Sequence, residues 1–282
     1  MRRLFLLAIP LSALALTATA TGGRTVASAS CPTVTSGVFT VGTDNPAYPP
    51  WFGGSPAKGS KWKISEPTSG KGFESAVAYA VAKQLGYPRA KVVWNYTPFA
   101  RSYAPGKKAF DVDINEISYT PARAKVVDFS SSYYDVAQAV VANKGTKAAA
   151  VRSLAGLRGL KLGVQIGTTS LDAVNQVVKP SAQPKVFNDS NDVVTALKQK
   201  QVDAVVVDLP TAFFLTAAQV PTAKIVGQFS APGGDTWGAL LQKGSPLTAC
   251  VNQAIGDLKE SGALASLEQR WLGAAAGAPV LK

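Results

Sequence analysis

Asp111-Val-Asp-Ile-Asn-Glu-Ile-Ser-Tyr-Thr-Pro-Ala-Arg123, running on to Asp128-Phe-Ser-Ser-Ser-Tyr-Tyr134, is the stretch on which the reading of this chain turns. Residues 110–117 alternate and read as a strand ending at Ile117-Ser118. Pro121 fixes its own φ and biases Thr120 toward extended geometry, so the strand stops there. Arg123 then stands about one turn into whatever element follows. A strand end beside a helix start is where open α/β sheets place ligands. An arginine at such a place offers a planar fork suited to a carboxylate.

The flanking sequence repeats one pattern. Upstream, Val38-Phe-Thr-Val-Gly-Thr43 is a short alternating strand, and Asp44-Asn-Pro-Ala-Tyr-Pro-Pro-Trp-Phe-Gly-Gly54 is too rich in proline to be helix or sheet interior. Residues 55–71 read as a surface excursion. In 72–86, Phe73, Val77, Ala80, Val81 and Leu85 share one helical face, and Gly86 ends the helix. A second strand is expected at 91–96, and a short helix with a turn at 99–110. Downstream, 135–142 reads as an apolar strand. The pattern then restarts with strand 161–166, the turn Gly167-Thr-Thr-Ser170, helix 171–178, strand 185–187, helix 191–199 and strand 204–207 ending in Asp208. Helix 211–218, strands 224–227 and 236–242, and helices 246–260 and 263–271 complete the chain. Strand–loop–helix–strand thus occurs twice. That predicts an α/β protein of two lobes, each a mostly parallel sheet flanked by helices, with a cleft between them.

Residues 1–29 read as a secretory signal peptide: a basic Arg2-Arg3, an apolar run from Leu4 to Leu16, then small residues before two plausible cleavage sites. The apolar run is short for a membrane span, which takes about 20 residues. The formal charge is +12, from 29 basic and 17 acidic residues; loss of Arg2, Arg3 and Arg24 with the leader lowers it to +9. The basic residues are scattered singly or in pairs, so a solvated basic surface is expected rather than a nucleic-acid stripe. The two cysteines, Cys31 and Cys250, are expected to form a disulfide in an oxidising compartment. The rival is lipidation of Cys31, but Ser28 stands where a large aliphatic residue is usual.

With no histidine in the chain, Ser-His-Asp, Cys-His and histidine-metal chemistry are excluded. There is no Cys pair at metal spacing, no GxxxxGK[ST] and no GxGxxG after a strand; neither cofactor nor metal is expected. What remains is a set of fixed complementary groups: an arginine, short hydroxyls after strands, an aspartate ending a strand and a few aromatics. Such a set suits grasping a small zwitterion better than transforming it.

Taken in order, several of these segments resemble the family-3 extracellular solute-binding proteins, the amino-acid receptors of ABC importers. The similarity is carried by Val41-Gly-Thr-Asp44 with Tyr48-Pro-Pro-Trp51, by Gly72-Phe-Glu74, and by Ser118-Tyr-Thr-Pro-Ala-Arg-Ala-Lys-Val-Val-Asp-Phe-Ser130 before Tyr133-Tyr134. Gly163-Val-Gln-Ile-Gly-Thr-Thr169, Val202-Asp-Ala-Val-Val-Val-Asp208 and Trp271-Leu-Gly273 complete it. The resemblance implies the two-lobed type II periplasmic-binding-protein fold, with lobe 1 at 31–141 and 235–282 and lobe 2 at 142–234. Chain crossings near Ala139–Asn143 and Gly233–Gly238 would serve as the hinge.

The resemblance also assigns roles. Arg123 grips the ligand's α-carboxylate, assisted by Ser118 and by Thr168 and Thr169 of the second lobe, and Asp208 takes the α-ammonium. Tyr48 and Phe99 (or Tyr96) cover the side chain, while Trp51, Trp237 and Trp271 belong to the core. The chain departs from the pattern in three places. Ala76 stands where a second acid is usual, one extra residue separates Asp44 from Tyr48, and Glu116 stands where many members carry Ser or Gly. Glu116 either helps hold an ammonium or cationic side chain or turns away into a salt bridge; with Asp44 it leans the ligand weakly toward polar or basic amino acids. The expected partners are an amino acid and a membrane permease, not nucleic acid, and a monomer is expected. The alternatives are an enzyme on the same fold, acting on arogenate or prephenate with Glu116 as the suspect, and a ligand-sensing module. The latter is disfavoured because no membrane segment or signalling domain follows Lys282.

Overall fold

A computed structural model describes residues 31–273 and 278–282. The expected signal peptide lies outside the described residues. Among the described residues, ten strands form two five-stranded mixed sheets. The first contains β1 (Phe39–Thr43), β2 (Val92–Tyr96), β3 (Val112–Asp113), β4 (Val127–Asp135) and, entering from the far end of the chain, a return strand at Thr236–Gln242. The second contains β5 (Gln138–Asn143), β6 (Leu162–Gln165), β7 (Lys185–Phe187), β8 (Ala204–Asp208) and β9 (Ala223–Phe229). With the return strand as β10, the orders are β2-β1-β3-β10-β4 and β7-β6-β8-β5-β9. In each sheet the first three strands run parallel, and the strand from the chain crossing lies antiparallel to its neighbours.

Side-chain alternation builds the cores. In β5, Val140 and Ala142 join one core of the second lobe, while Ala139 and Val141 join the core on its other face. The helix Phe73–Gln84 puts Phe73, Val77 and Val81 against the first sheet, beside Val251, Ile255 and Leu258 of helix Thr248–Glu260. Trp51 and Trp237 meet edge to face at 4.5 Å between ring centroids inside this core. Trp271 packs half-buried against its edge. The bridge Cys31–Cys250 is formed across a separation of 219 residues, tying the segment before β1 to helix Thr248–Glu260.

Three boundaries differ from the sequence expectation. The apolar run expected at 135–142 is divided. Val127–Asp135 pairs with β10, while Gln138–Asn143 pairs with β8 and β9, so the first crossing falls at Val136-Ala137, and residues 138–141 lie with the second sheet. The return crossing lies between Phe229 and Thr236. The tail 278–282 is placed on the second lobe: Val280 bridges Gln228, and Leu281 is buried in that lobe's core. Physically, periodicity reveals that a segment is a strand but not which sheet accepts it.

Candidate functional site

The nine residues singled out as ligand groups, Asp44, Tyr48, Phe99, Glu116, Ser118, Arg123, Thr168, Thr169 and Asp208, all line one cavity of about 350 Å³ between the lobes. Tyr96, also considered, sits half-exposed at its edge.

Strand ends deliver the groups. β3 is short because its pairing stops after Val112–Asp113, and the following residues leave strand geometry. Ser118 is fixed instead by a bridge to Trp237, with the Tyr119 amide donating to the Thr236 carbonyl at 2.8 Å. Thr120 caps the short helix Pro121–Ala124, its hydroxyl accepting from the Arg123 amide. That cap turns the Arg123 side chain back into the cleft. Only 8% of Arg123 is exposed. Nη1 donates to the Ser118 carbonyl and Nη2 to the Gly167 carbonyl, both at 2.7 Å. The guanidinium carbon stands 4.7 Å from the Tyr103 ring centre and 5.5 Å from that of Phe99. Among the described residues no carboxylate pairs with it; Asp128, near it in sequence, pairs with Lys243 at 3.1 Å. Of the five N–H donors of an arginine, two are used here, leaving three for a ligand.

The second lobe meets this arginine with the turn after β6. Gly167 has φ +73°, which favours glycine, and a Cβ there would stand 2.6 Å from the Tyr103 hydroxyl and displace it. Thr168 caps helix Thr169–Ala173, accepting from the Leu171 amide while donating to the Gln165 carbonyl at 2.8 Å. Its hydroxyl is therefore committed to the turn. The Thr169 hydroxyl lies 3.2 Å from that of Ser118 across the cleft.

Asp208 ends β8 and precedes helix Leu209–Phe214, yet its side chain makes no capping bond. Its carboxylate accepts from the Gln138 amide nitrogen at 2.7 Å, and that nitrogen also donates to Asp235 at 3.0 Å. The Gln138 oxygen accepts from Ser170 at 2.6 Å. Burial, then the charge of Asp235, push the Asp208 carboxyl up to about 8. Gln138 and Asp235 were not singled out from sequence. Each stands at a chain crossing, and their neighbourhood exists only once both crossings are folded side by side.

Glu116 has φ +53°, a left-handed conformation uncommon outside glycine. Its amide donates at 2.7 Å to Glu74, which also accepts from the Tyr133 hydroxyl. Burial raises Glu74 to about 7. The Glu116 carboxylate accepts from the Thr211 hydroxyl at 3.1 Å, and Thr211 in turn accepts from the Trp51 indole at 3.2 Å. Trp51 is core, but its indole edge also joins the lobes. The Tyr48 hydroxyl donates to Asn191, and its ring lies against Phe214. Asn191 and Thr211 are further cleft groups that sequence reasoning passed over, as ordinary helix-start residues. Together these bonds describe two lobes closed on one another.

The chain matches the bacterial extracellular solute-binding proteins, family 3, over residues 40–274. It belongs to that family. The L-cystine-binding protein TcyJ of Escherichia coli K12 is 28% identical over 204 residues, which is 72% of this chain and 74% of that protein. The arginine-binding extracellular protein ArtP of Bacillus subtilis 168 is 26% identical over 71% of this chain and 77% of its own length. Among solved structures, an ancestral arginine-binding protein bound to arginine superimposes with a TM-score of 0.66 at 32% identity, covering 83% of this chain and 98% of that one. The two-sheet architecture is thus the type II periplasmic-binding-protein fold. These relatives are binding proteins by name. Among the described residues no helix is long and apolar enough to cross a membrane.

Proposed function

We propose that this protein is an exported receptor that closes its lobes on one α-amino acid and passes it to an ABC permease, acting as a monomer. One observation carries the ligand chemistry: a buried guanidinium on the first lobe and a part-buried carboxylate on the second face the same cavity. Arg123 takes the α-carboxylate through its unused donors, with Ser118 and Thr169 beside it. Asp208 takes the α-ammonium, which adds to the charge of Arg123 in offsetting burial and the neighbouring Asp235. Thr168 holds the turn that brings Gly167 and Thr169 to the arginine. Tyr48 and Phe99 wall the side chain, and Asp44 lines the same cavity. A zwitterion held between opposite charges in a water-poor cleft is selected by its own dipole.

The hinge in this reading is the pair of crossings at 136–137 and 230–235. A panel of the twenty amino acids in a thermal-shift assay, with mass spectrometry of any ligand carried through purification, tests the proposal. At least one α-amino acid should raise the melting temperature, and a panel with no response would contradict it. We propose no catalytic role. Incubation with arogenate or prephenate should yield no product, and turnover would replace this reading with that of a dehydratase, Glu116 being the proton donor to suspect.

A further inference from the structure

Resting on the amino-acid reading above, we propose that Glu116 selects the ligand's side chain, its carboxylate receiving a cationic group and so restricting the site to basic amino acids. Three observations converge on it. First, the backbone holds a non-glycine residue in the left-handed region at this one cleft position, at a cost of about 1 kcal/mol or more, where glycine would be free of strain. The Glu116 amide is fastened there by Glu74, itself held by Tyr133. Second, the carboxylate faces the cavity with one hydroxyl partner, Thr211, and among the described residues no lysine or arginine pairs with it.

Third, the charges of the cleft do not balance for a neutral side chain. Arg123 answers the ligand's carboxylate and Asp208 its ammonium. Asp44 accepts the Asn45 backbone amide at 2.7 Å and Asp235 accepts from Gln138 at 3.0 Å, with Arg123 in reach of its charge; Glu116 is met by the Thr211 hydroxyl, and among the described residues no cation pairs with it. A buried carboxylate left so is either protonated or matched by a cation. The groups facing Glu116 from the packed elements add to this. Glu74 from helix Phe73–Gln84, Asp208 from β8 and Asp44 from the loop after β1 are all acids, and only the Thr211 hydroxyl favours its charged form. The Tyr48 and Tyr133 hydroxyls bring no positive charge either. Burial and these neighbours keep the Glu116 carboxyl well above the usual carboxylate range. A cationic side chain ionises it, and the proton passes to the buffer.

The test is calorimetry of the parent, Glu116→Gln and Glu116→Gly with arginine and with citrulline, its neutral near-isostere, in buffers of different ionisation enthalpy. Glutamine keeps an acceptor for Thr211, and glycine relieves the left-handed backbone, so at least one folded variant is expected; circular dichroism checks both. The parent should prefer arginine and release protons on binding it. Either variant should narrow the arginine-to-citrulline ratio about thirtyfold or more, mainly by weakening arginine, and release fewer protons. An unchanged ratio in both variants, or a parent that prefers citrulline, overturns the inference. If neutral amino acids bind and require Arg123, the amino-acid reading survives that result. If the parent binds no amino acid, both fall.

Discussion

Asp208 shows how much of this site depends on surroundings that no single residue reveals. Its place at a strand end is plain in Val202-Asp-Ala-Val-Val-Val-Asp208, but its carboxyl is raised to about 8 by burial and by Asp235, twenty-seven positions on. That shift has a direction in stability. A carboxyl raised in the folded state binds its proton more tightly there than in the unfolded chain. Its contribution is full below the ordinary value near 3.8 and is lost as pH rises toward 8. Glu74, raised to about 7, acts in the same sense. The unliganded protein should therefore melt several degrees lower at pH 8 than at pH 5, and Asp208→Asn should flatten that slope. Melting curves across this range check it; a parent that gains stability toward pH 8 would contradict it. Arg123 was legible because proline, a strand end and a lone cation coincide. Gln138, which holds Asp208 and Asp235 together, was not legible, since an isolated glutamine opening an apolar strand carries no local signal.

Among the elements, those with a strong local period were readable. The helix expected at 72–86 forms at Phe73–Gln84, and those expected at 246–260 and 263–271 form at Thr248–Glu260 and Ala263–Leu272. Where pairing is remote, sequence was silent. The strand Val127–Asp135 carries a serine triplet and no clean alternation, yet it forms a nine-residue strand, irregularly paired, because β10 arrives from more than a hundred positions away. Helices expected as continuous at 171–178 and 211–218 each begin as an α-helix and finish in a wider π turn. The start of helix Phe73–Gln84 is held by a glycine that tolerates no substitute. Gly72 has φ +92°, and a Cβ would lie 2.4 Å from the Trp51 carbonyl oxygen and 2.6 Å from the Phe52 backbone. Gly72→Ala should destabilise the protein by about 2 kcal/mol or more, read as a lower urea midpoint. An unchanged midpoint would mean that the loop from Tyr48 to Phe52 yields freely.

In the whole molecule, chain crossings decide what the lobes share. Two strands, β5 and β10, enter the sheets from the crossings; at their starts Gln138 and the adjoining Asp235 stand beside Asp208, and Trp237, in the core, bridges Ser118. Lobe contact runs through Tyr48 and Asn191, Ser118 and Thr169, Glu116 and Thr211, and Arg123 and Gly167. The bridge Cys31–Cys250 is internal to the first lobe and leaves this closure free. In the chain-entropy view, closing so long a loop contributes about 5 kcal/mol. Replacing both cysteines by serine should lower the denaturation free energy by about 2–5 kcal/mol, with ligand affinity at saturation of folding little changed. An intact bridge in the native mass spectrum, and its loss on reduction, checks the pairing directly. The central claim is that one amino acid is held between Arg123 and the second lobe. Isothermal titration of the parent and of Arg123→Ala, using the amino acid that gives the largest thermal shift, tests it most directly. The parent should bind below about 1 mM and Arg123→Ala at least about a hundredfold more weakly. Equal affinity in the two proteins would contradict the account.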